Sequence, residues 1–177
     1  MQNLECNSIE EVRENIDSID KQIDEPIAQR DNKRFQWHYD TNNVDWDELS
    51  NLYKIAPLGD KKPEDLKIVF ENSRYKCFVY DKDKLVGVGR ALADGVDVSY
   101  IADVAIHPEY QGLGLGKDIV NKLVEFSKDH NKIILFASMG KEPFYSKLGF
   151  DKMNTAMAIF KNRQRVLDMG LVSKLKY

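Results

Sequence analysis

Cysteine is scarce in this sequence, and its scarcity argues against several classes of protein. The 177 residues include two cysteines, Cys6 and Cys77, which lie far apart and form no CxxC motif or Cys/His cluster. Disulfide scaffolds and zinc sites depend on paired or closely spaced cysteines. We therefore expect reduced thiols, no metal site and a cytoplasmic protein.

Long apolar runs and an excess of basic charge are also missing. No apolar stretch approaches the roughly 18–20 residues that cross a membrane. The acidic N-terminus lacks the basic and then apolar layout of a secretion signal. The formal net charge is −3, which disfavours a general nucleic-acid binder. We expect a soluble protein whose partners include neither a membrane nor a nucleic acid.

The spacing of apolar residues predicts the order of the elements. Residues 1–33 predict a helical extension with one apolar stripe. A strand, two helices, a two-stranded hairpin, and then strand, helix, strand, helix and strand are predicted to follow, at 34–41, 45–56, 63–73, 75–81, 84–94, 96–107, 112–129, 132–138, 142–149 and 155–160. This order is typical of an α+β fold with a mixed central sheet flanked by helices. We divide the chain into the extension and one domain, 34–177.

Three glycines alternate with other residues between a predicted buried strand and a predicted helix. They are Gly112, Gly114 and Gly116 in the stretch HPEYQGLGLGKD. Glycine lets the backbone point several N–H groups into one concavity, and a helix N-terminus adds about half a positive charge. Such a loop favours a phosphate or diphosphate as its ligand. The alternative is a turn in which glycine only eases packing, but one glycine would be enough for that.

Two common nucleotide motifs do not fit this loop. A Walker A motif has four residues between its glycines, whereas Gly112 and Gly116 enclose three, and Asp118 stands where its Ser or Thr would be. A dinucleotide-binding motif that starts at Gly114 would place its third glycine at Ile119. The loop therefore predicts a phosphate ligand that is bound in another way.

The wider pattern resembles the GNAT superfamily of N-acetyltransferases. It comprises DVAIHPEYQGLGLG, a helix, a strand and FYSKLGF, within about residues 34–160. The resemblance implies acetyl-CoA as co-substrate, with its pyrophosphate on the loop and its pantetheine arm along the preceding strand. The cofactor-binding positions that it implies are Val104, Ala105, Ile106, Gln111, Gly112, Leu113, Gly114, Leu115, Gly116, Lys117, Ser138 and Phe144.

Some of these positions have a second interpretation or depart from the family pattern. Lys117 equally suits a helix surface, and Phe144, like Leu148, suits the packed face of a short helix. Ser138 stands where many GNAT proteins have an asparagine. A hydroxyl there would supply part of the hydrogen bonding of the amide.

Acetyl transfer to an amine needs a base for the amine and an acid for the leaving thiolate. The resemblance implies Tyr145 as the acid, because a phenol with a pKa of about 10 can protonate a thiolate whose thiol has a pKa of about 8.5. Asp103 is the candidate base, although a structural carboxylate at a strand end is the alternative. Some GNAT proteins have a glutamate at the preceding residue, which is Ala102 here. Other candidates for the base are Tyr100, Asp97, Glu109 and a water chain.

Three further expectations concern the residues around this chemistry. His107 precedes Pro108 at a strand end, which favours a role in the turn over one in catalysis. No cysteine lies near the loop to carry an acyl group, so we expect direct transfer in a ternary complex. In the superfamily the acceptor site draws on the first two helices and the strand ends, which here offer Trp46, Tyr53, Asp94 and Asp97. These suit a small cationic amine, and the alternatives are an acyl-CoA sensor without turnover and a protein lysine acetyltransferase.

The N-terminal 30 residues resemble the first helix of the helical chorismate mutases. The likeness rests on IDSIDKQI and on Arg13 and Arg30. The further helices of a mutase do not follow, so we expect no mutase activity. The apolar stripe of this helix would pack on its own domain or on a second chain, and a homodimer is one arrangement that it would allow.

Overall fold

Residues 34–173 are described in a computed structural model of the protein. Their elements are β1 (Phe35–His38), α1 (Trp46–Ile55), α2 (Pro63–Glu71), β2 (Tyr75–Asp81), β3 (Lys84–Ala93), β4 (Val98–Ile106), α3 (Leu115–Phe126), β5 (Lys132–Leu135), α4 (Glu142–Ser146) and α5 (Arg163–Asp168). The predicted N-terminal helix, with its likeness to a mutase helix, lies outside the described residues. The predicted domain boundary at residue 33 falls at their edge and stays a prediction.

The strands form one five-stranded sheet in the order β1-β2-β3-β4-β5. The pairs β1/β2, β2/β3 and β3/β4 are antiparallel. The N–H groups of Asn131 and Lys132 donate to the carbonyl oxygens of Val96 and Asp97 at 3.1 and 3.0 Å. Because β4 and β5 thus start side by side, they run in the same direction. The predicted α+β fold with a mixed sheet flanked by helices is confirmed.

Helices cover both faces of the sheet. A buried cluster joins α1 and α2 to strand residues; its members are Leu49, Leu52, Tyr53, Leu66, Phe70, Phe78, Leu85, Val88 and Ala105. Successive strand residues point to opposite faces, so Gly87 and Gly89, on either side of Val88, face α3. A Cβ atom at Gly89 would lie 2.7 Å from Cγ2 of Ile119. Glycine in β3 therefore lets α3 lie close against the sheet.

The prediction of a strand at 155–160 is wrong. Residues 155–160 contain no strand, and the side chains of Met157 and Ile159 are exposed. The composition of TAMAIF favours a strand, but a strand also needs a neighbouring strand with which to pair. The predicted strand at 132–138 is shorter than expected and ends at Leu135. The sequence reading missed α5 altogether.

The described residues divide into two compact units between Ile133 and Ile134. The first unit holds β1–β4 and α1–α3, and the second holds α4 and α5. Within residues 34–173, every helix is too short or too polar to be a transmembrane segment.

Candidate functional site

β4 carries a β-bulge in the segment predicted to bind the pantetheine arm. The register between β3 and β4 shifts at Gly89, so this one residue faces both Asp103 and Val104. Asp103 has a φ of +55°, in the left-handed region, which aspartate tolerates better than most residues. A bulge interrupts the ladder of hydrogen bonds and bends the strand locally. The backbone of β4 therefore changes direction where the segment predicted to bind the pantetheine arm begins.

The Asp103 side chain lies between two cations. Its Oδ1 pairs with the Nζ of Lys61, and its Oδ2 lies 2.6 Å from the Nε of Arg90. Burial alone raises the pKa of Asp103, but the bonds and charges of Lys61 and Arg90 outweigh burial and leave the pKa below its ordinary value. Both oxygens of a charged carboxylate are thus engaged. This arrangement supports the structural alternative, while the catalytic role of Asp103 stays a prediction.

Side-chain contacts join the bulge to α1, to the loop between α1 and α2, and to β3. The hydroxyl of Tyr53, on α1, donates to the carbonyl oxygen of Asp103 at 2.8 Å. The Nζ of Lys61, on the loop between α1 and α2, lies 4.3 Å from the centre of the Tyr53 ring. The Nη1 of Arg90, on β3, donates to the Oγ of Ser73 at 3.1 Å. The bulge is therefore fixed by side chains that are distant from it in sequence.

The C-terminal half of β4 has one neighbouring strand among the described strands. β4 is nine residues long, and β5, which starts level with it, has four. On the other side, Ala105 and Ile106 pair with β3. Val104 and Ile106 are half-buried and Ala105 is buried. This half of β4 can therefore offer a backbone edge to an extended ligand.

The glycine loop presents exposed backbone directly after β4. Residues 111–114 are exposed, and φ is +79° at Gly112 and +87° at Gly114. Gly114 is the N-cap of α3 and provides no side-chain cap. The Asp118 N–H donates to the Gly114 carbonyl at 3.1 Å. The amides of Leu115 and Gly116 precede this first turn of bonds, so they have no acceptor within the helix.

The loop has the properties that a diphosphate needs. A Cβ atom at Gly112 would meet nothing within 4 Å, so the space in front of the backbone is open. The amides at the helix N-terminus and the positive end of its dipole attract an anion. The residues present therefore fit the pyrophosphate of acetyl-CoA, and its binding here stays a prediction.

Tyr110 fastens the loop to the hairpin of β2 and β3. Its hydroxyl donates to Oδ2 of Asp81 at 3.0 Å, and the same oxygen accepts from Arg34. These two hydrogen bonds lower the pKa of Asp81. The guanidinium of Arg34 and the ammonium of Lys84 lie 5.7 and 5.4 Å from the centre of the Tyr110 ring. Sequence reasoning missed this group, because no local motif links Tyr110 to a residue 29 positions away.

His107 and Gln111 also shape the loop. The Nδ1 of His107 accepts the N–H of Glu109 at 3.3 Å and caps the short 3-10 turn Pro108–Tyr110. This confirms the predicted role of His107 in the turn. The Nε2 of Gln111 donates to the carbonyl of Ile106 at 3.3 Å. The carboxylate of Glu109 pairs with Lys84 at 2.9 Å, and its pKa is lowered by that bond.

The residues predicted to contact the acceptor have structural partners. Oδ1 of Asp94 accepts two backbone N–H groups of the turn that follows it, at 2.8 Å each. Oδ2 of Asp97 lies 2.6 Å from the Nζ of Lys132. Trp46 is half-buried and lies against Phe70. Tyr53 is 0% exposed, so the expectation that its side chain meets the acceptor is wrong. For the other three, acceptor contact stays a prediction.

Tyr145 and its motif lie in the second unit. The Tyr145 ring makes edge contacts with Phe144 and Phe150, with centroids 5.0 and 6.1 Å apart. Burial raises the pKa of Tyr145, so its hydroxyl keeps its proton at neutral pH. Ser138 is exposed in the segment before α4. The roles of Tyr145, Phe144 and Ser138 stay predictions.

Comparison with known proteins identifies the family. Residues 36–150 match the acetyltransferase (GNAT) family. The uncharacterized N-acetyltransferase ycf52 of Pyropia yezoensis is 39% identical over 114 residues, which are 58% of this chain and 66% of that protein. A ycf52-like protein of Prochlorococcus marinus is 34% identical over 113 residues, 60% of this chain and 63% of that protein. The match thus spans just under two thirds of the length of these relatives.

A solved structure shows the same fold. It is a probable acetyltransferase of unknown function from meticillin-resistant Staphylococcus aureus, with 25% sequence identity and a TM-score of 0.64 over 71% of this chain and 97% of that one. The family match covers more than half of the sequence and includes both the glycine loop and the Tyr145 motif. This chain belongs to the acetyltransferase (GNAT) family.

Proposed function

We propose that this protein transfers the acetyl group of acetyl-CoA to a primary amine. The observation that carries the proposal is the glycine loop, which opens α3 directly after a bulged strand. Exposed amides and the helix N-terminus suit a diphosphate, and the edge of β4 suits an extended arm. When bound, acetyl-CoA would supply the acetyl group as an activated thioester.

The binding roles follow the order of the chain. We assign the pyrophosphate to the backbone of residues 111–117 and the pantetheine arm to residues 104–106. Gly112 and Gly114 matter most, because both have a positive φ, which suits glycine, and neither has a side chain that would shield the neighbouring amides. Ser138 and Phe144 complete the set as further cofactor contacts.

The catalytic roles that we propose use the bulge and Tyr145. Backbone N–H groups released from the ladder at the bulge stabilise a carbonyl oxygen as it gains negative charge. Tyr145 holds a proton at its hydroxyl for the leaving sulfur. The amine must be neutral to react, and at a pKa of about 10.4 only about one alkylamine in a thousand is neutral at pH 7. A base is therefore required, and Asp103 or a water molecule is the candidate.

Direct transfer in a ternary complex is supported by the state of Cys77. Its side chain is 0% exposed. Burial raises the pKa of its thiol far above the ordinary value. A buried neutral thiol is a poor nucleophile. Cys77 is thus unsuited to carry an acetyl group between two half-reactions.

We propose a small molecule as the acceptor and the cytoplasm as the location. The test is to incubate the full chain with acetyl-CoA and a panel of amines, following thiol release with a thiol-reactive dye and products by mass spectrometry. The proposal predicts thiol release that depends on one class of amine, together with the acetylated amine. CoA binding without amine-dependent release would indicate a sensor. Acetylation of protein lysines but of no small amine would indicate a lysine acetyltransferase.

A further inference from the structure

We propose that Lys61 and Arg90 are positioning residues that hold the β4 bulge in its reactive shape through the carboxylate of Asp103. This inference rests on the proposed function and adds a specific role for two side chains that no sequence motif contains. It also gives Asp103 a task other than that of a base.

The backbone of Asp103 is strained. A residue other than glycine in the left-handed region is unfavourable and persists only where its surroundings fix it. At Asp103, whose φ is +55°, these surroundings are Lys61 and Arg90 on the side chain and Tyr53 on the carbonyl oxygen. Without the two cations, the strand would be free to shift towards regular pairing with β3.

The net charge of the three side chains also supports a role beside the reacting groups. Lys61 and Arg90 carry two positive charges and Asp103 one negative charge, so the group keeps one net positive charge beside the bulge. The phenols nearby do not offset it, because burial and the Asp103 charge raise the pKa values of Tyr53 and Tyr100. A positive charge stabilises an oxygen that becomes negative, and it disfavours the protonated form of an incoming amine.

Asp103 is poorly suited to act as a general base. A general base needs an accessible oxygen and a pKa near the working pH. Both oxygens of Asp103 are already engaged, and the pKa of the carboxylate is lowered rather than raised. The two roles predict opposite effects of removing Lys61, since loss of this cation raises the pKa of Asp103.

The test compares Lys61→Met, Asp103→Asn, their double variant and Arg90→Lys with the wild type. Lys62→Met is the matched control, because the neighbouring Lys62 is solvent-exposed and its Nζ lies 4.0 Å from the carboxylate of Glu64, which is exposed as well. Steady-state kinetics give kcat and the KM for acetyl-CoA, and calorimetry gives the Kd for CoA. We expect kcat to fall about ten-fold to 100-fold in Lys61→Met and in Asp103→Asn, because small displacements at a reacting centre have effects of this size.

The double variant and the conservative variant separate positioning from simple damage. We expect the double variant to be no slower than the worse single variant, because both changes break one unit. Arg90→Lys should keep more of kcat than Lys61→Met, and the Kd for CoA should change less than about three-fold in every variant. Unchanged or raised kcat in Lys61→Met, with loss in Asp103→Asn, would instead assign Asp103 as the base and overturn the inference. The inference would also be overturned if the losses in kcat from Lys61→Met and Asp103→Asn multiplied in the double variant.

Amide hydrogen exchange tests the positioning role independently of the proposed acetyl transfer. We expect Lys61→Met to speed amide exchange in residues 101–107 by about ten-fold, with α3 unchanged, because the bulge opens more often. This measurement needs no turnover. Equal exchange in both proteins would overturn the positioning role even if acetyl transfer is found. Faster exchange in a protein that transfers no acetyl group would leave the positioning role standing and contradict the proposed function.

Discussion

Tyr145 carries the sharpest chemical prediction at the scale of one residue. The change Tyr145→Phe keeps the ring contacts with Phe144 and Phe150 and removes only the hydroxyl. Since the hydroxyl is the proposed proton donor, we expect kcat to fall by about 100-fold or more, the usual range for a lost general acid. The Kd for CoA should stay the same by calorimetry.

Tyr39→Phe is the control for this change. The Tyr39 side chain is 43% exposed and packs by its ring on Phe126. We expect its kcat to equal that of the wild type. If Tyr145→Phe also turns over at the wild-type rate, Tyr145 is not the acid.

The lowered pKa of Asp103 leads to a prediction of how the stability of the fold depends on pH. Its pKa in the folded chain lies below the unfolded value of about 3.9, because Lys61 and Arg90 outweigh burial. The unfolded chain therefore takes up a proton first as pH falls, and the stability from this carboxylate is present above about pH 4 and lost below it. We expect Asp103→Asn to be less stable than the wild type by about 1–3 kcal/mol at pH 7.

The difference in free energy of unfolding between the wild type and Asp103→Asn should become smaller when urea unfolding is repeated at pH 3. Other carboxylates affect both proteins alike, so they drop out of the comparison. A gap of the same size at both pH values would show that the charge of Asp103 does not stabilise the fold.

At the scale of elements, the close packing of α3 on β3 depends on Gly89. A Cβ atom there would lie 2.7 Å from Cγ2 of Ile119 and 3.0 Å from Cδ1 of Leu123. We expect Gly89→Ala to lower the free energy of unfolding by about 1–3 kcal/mol, the usual cost of overpacking. Chemical denaturation measures this. The double variant Gly89→Ala/Ile119→Ala should lose less than the sum of the singles, and a fully stable Gly89→Ala would refute the packing argument.

The turn that carries the glycine loop gives a second prediction at this scale. Tyr110→Phe removes the hydrogen bond to Asp81 and keeps the ring near Arg34 and Lys84. Loss of this charge-assisted hydrogen bond removes a contact that holds the turn before the loop. Because the loop then moves more freely, we expect the Kd for CoA to rise about three-fold to ten-fold.

Tyr80→Phe, next to Asp81 in the same strand, is the matched control for the loop. Its ring lies against His38. We expect no change in its Kd for CoA. If Tyr110→Phe binds CoA as tightly as this control, the hydrogen bond between Tyr110 and Asp81 does not position the loop.

The elements that could be predicted from the sequence are those with local signals. Glycine spacing and apolar periodicity placed the loop and α3, although the helix starts at Leu115 instead of residue 112. The strand at 155–160 was wrong because pairing depends on a distant neighbour. The bulge at Asp103 was not predicted, since Lys61 and Arg90 meet there from 42 and 13 residues away. Tertiary ion pairs of this kind leave no pattern in a single sequence.

At the scale of the whole molecule, the first unit holds the parts of the proposed site that bind the cofactor backbone. It contains the glycine loop, the edge of β4 and the network at Asp103, whereas Tyr145 belongs to the second unit. Cofactor binding and proton donation are therefore separate claims. A binding measurement tests the first without any knowledge of the acceptor.

Calorimetric titration of the full chain with CoA measures directly whether the glycine loop binds the cofactor. Gly112→Ala strains a residue at φ +79° and places a methyl group in front of the loop, while Gly59→Ala strains a residue at φ +96° that has equally open space and no place in the loop. We expect one saturable site in the wild type, binding weakened about ten-fold or more in Gly112→Ala, and wild-type binding in Gly59→Ala. No heat of binding in the wild type, or equal affinity in all three proteins, would contradict this expectation.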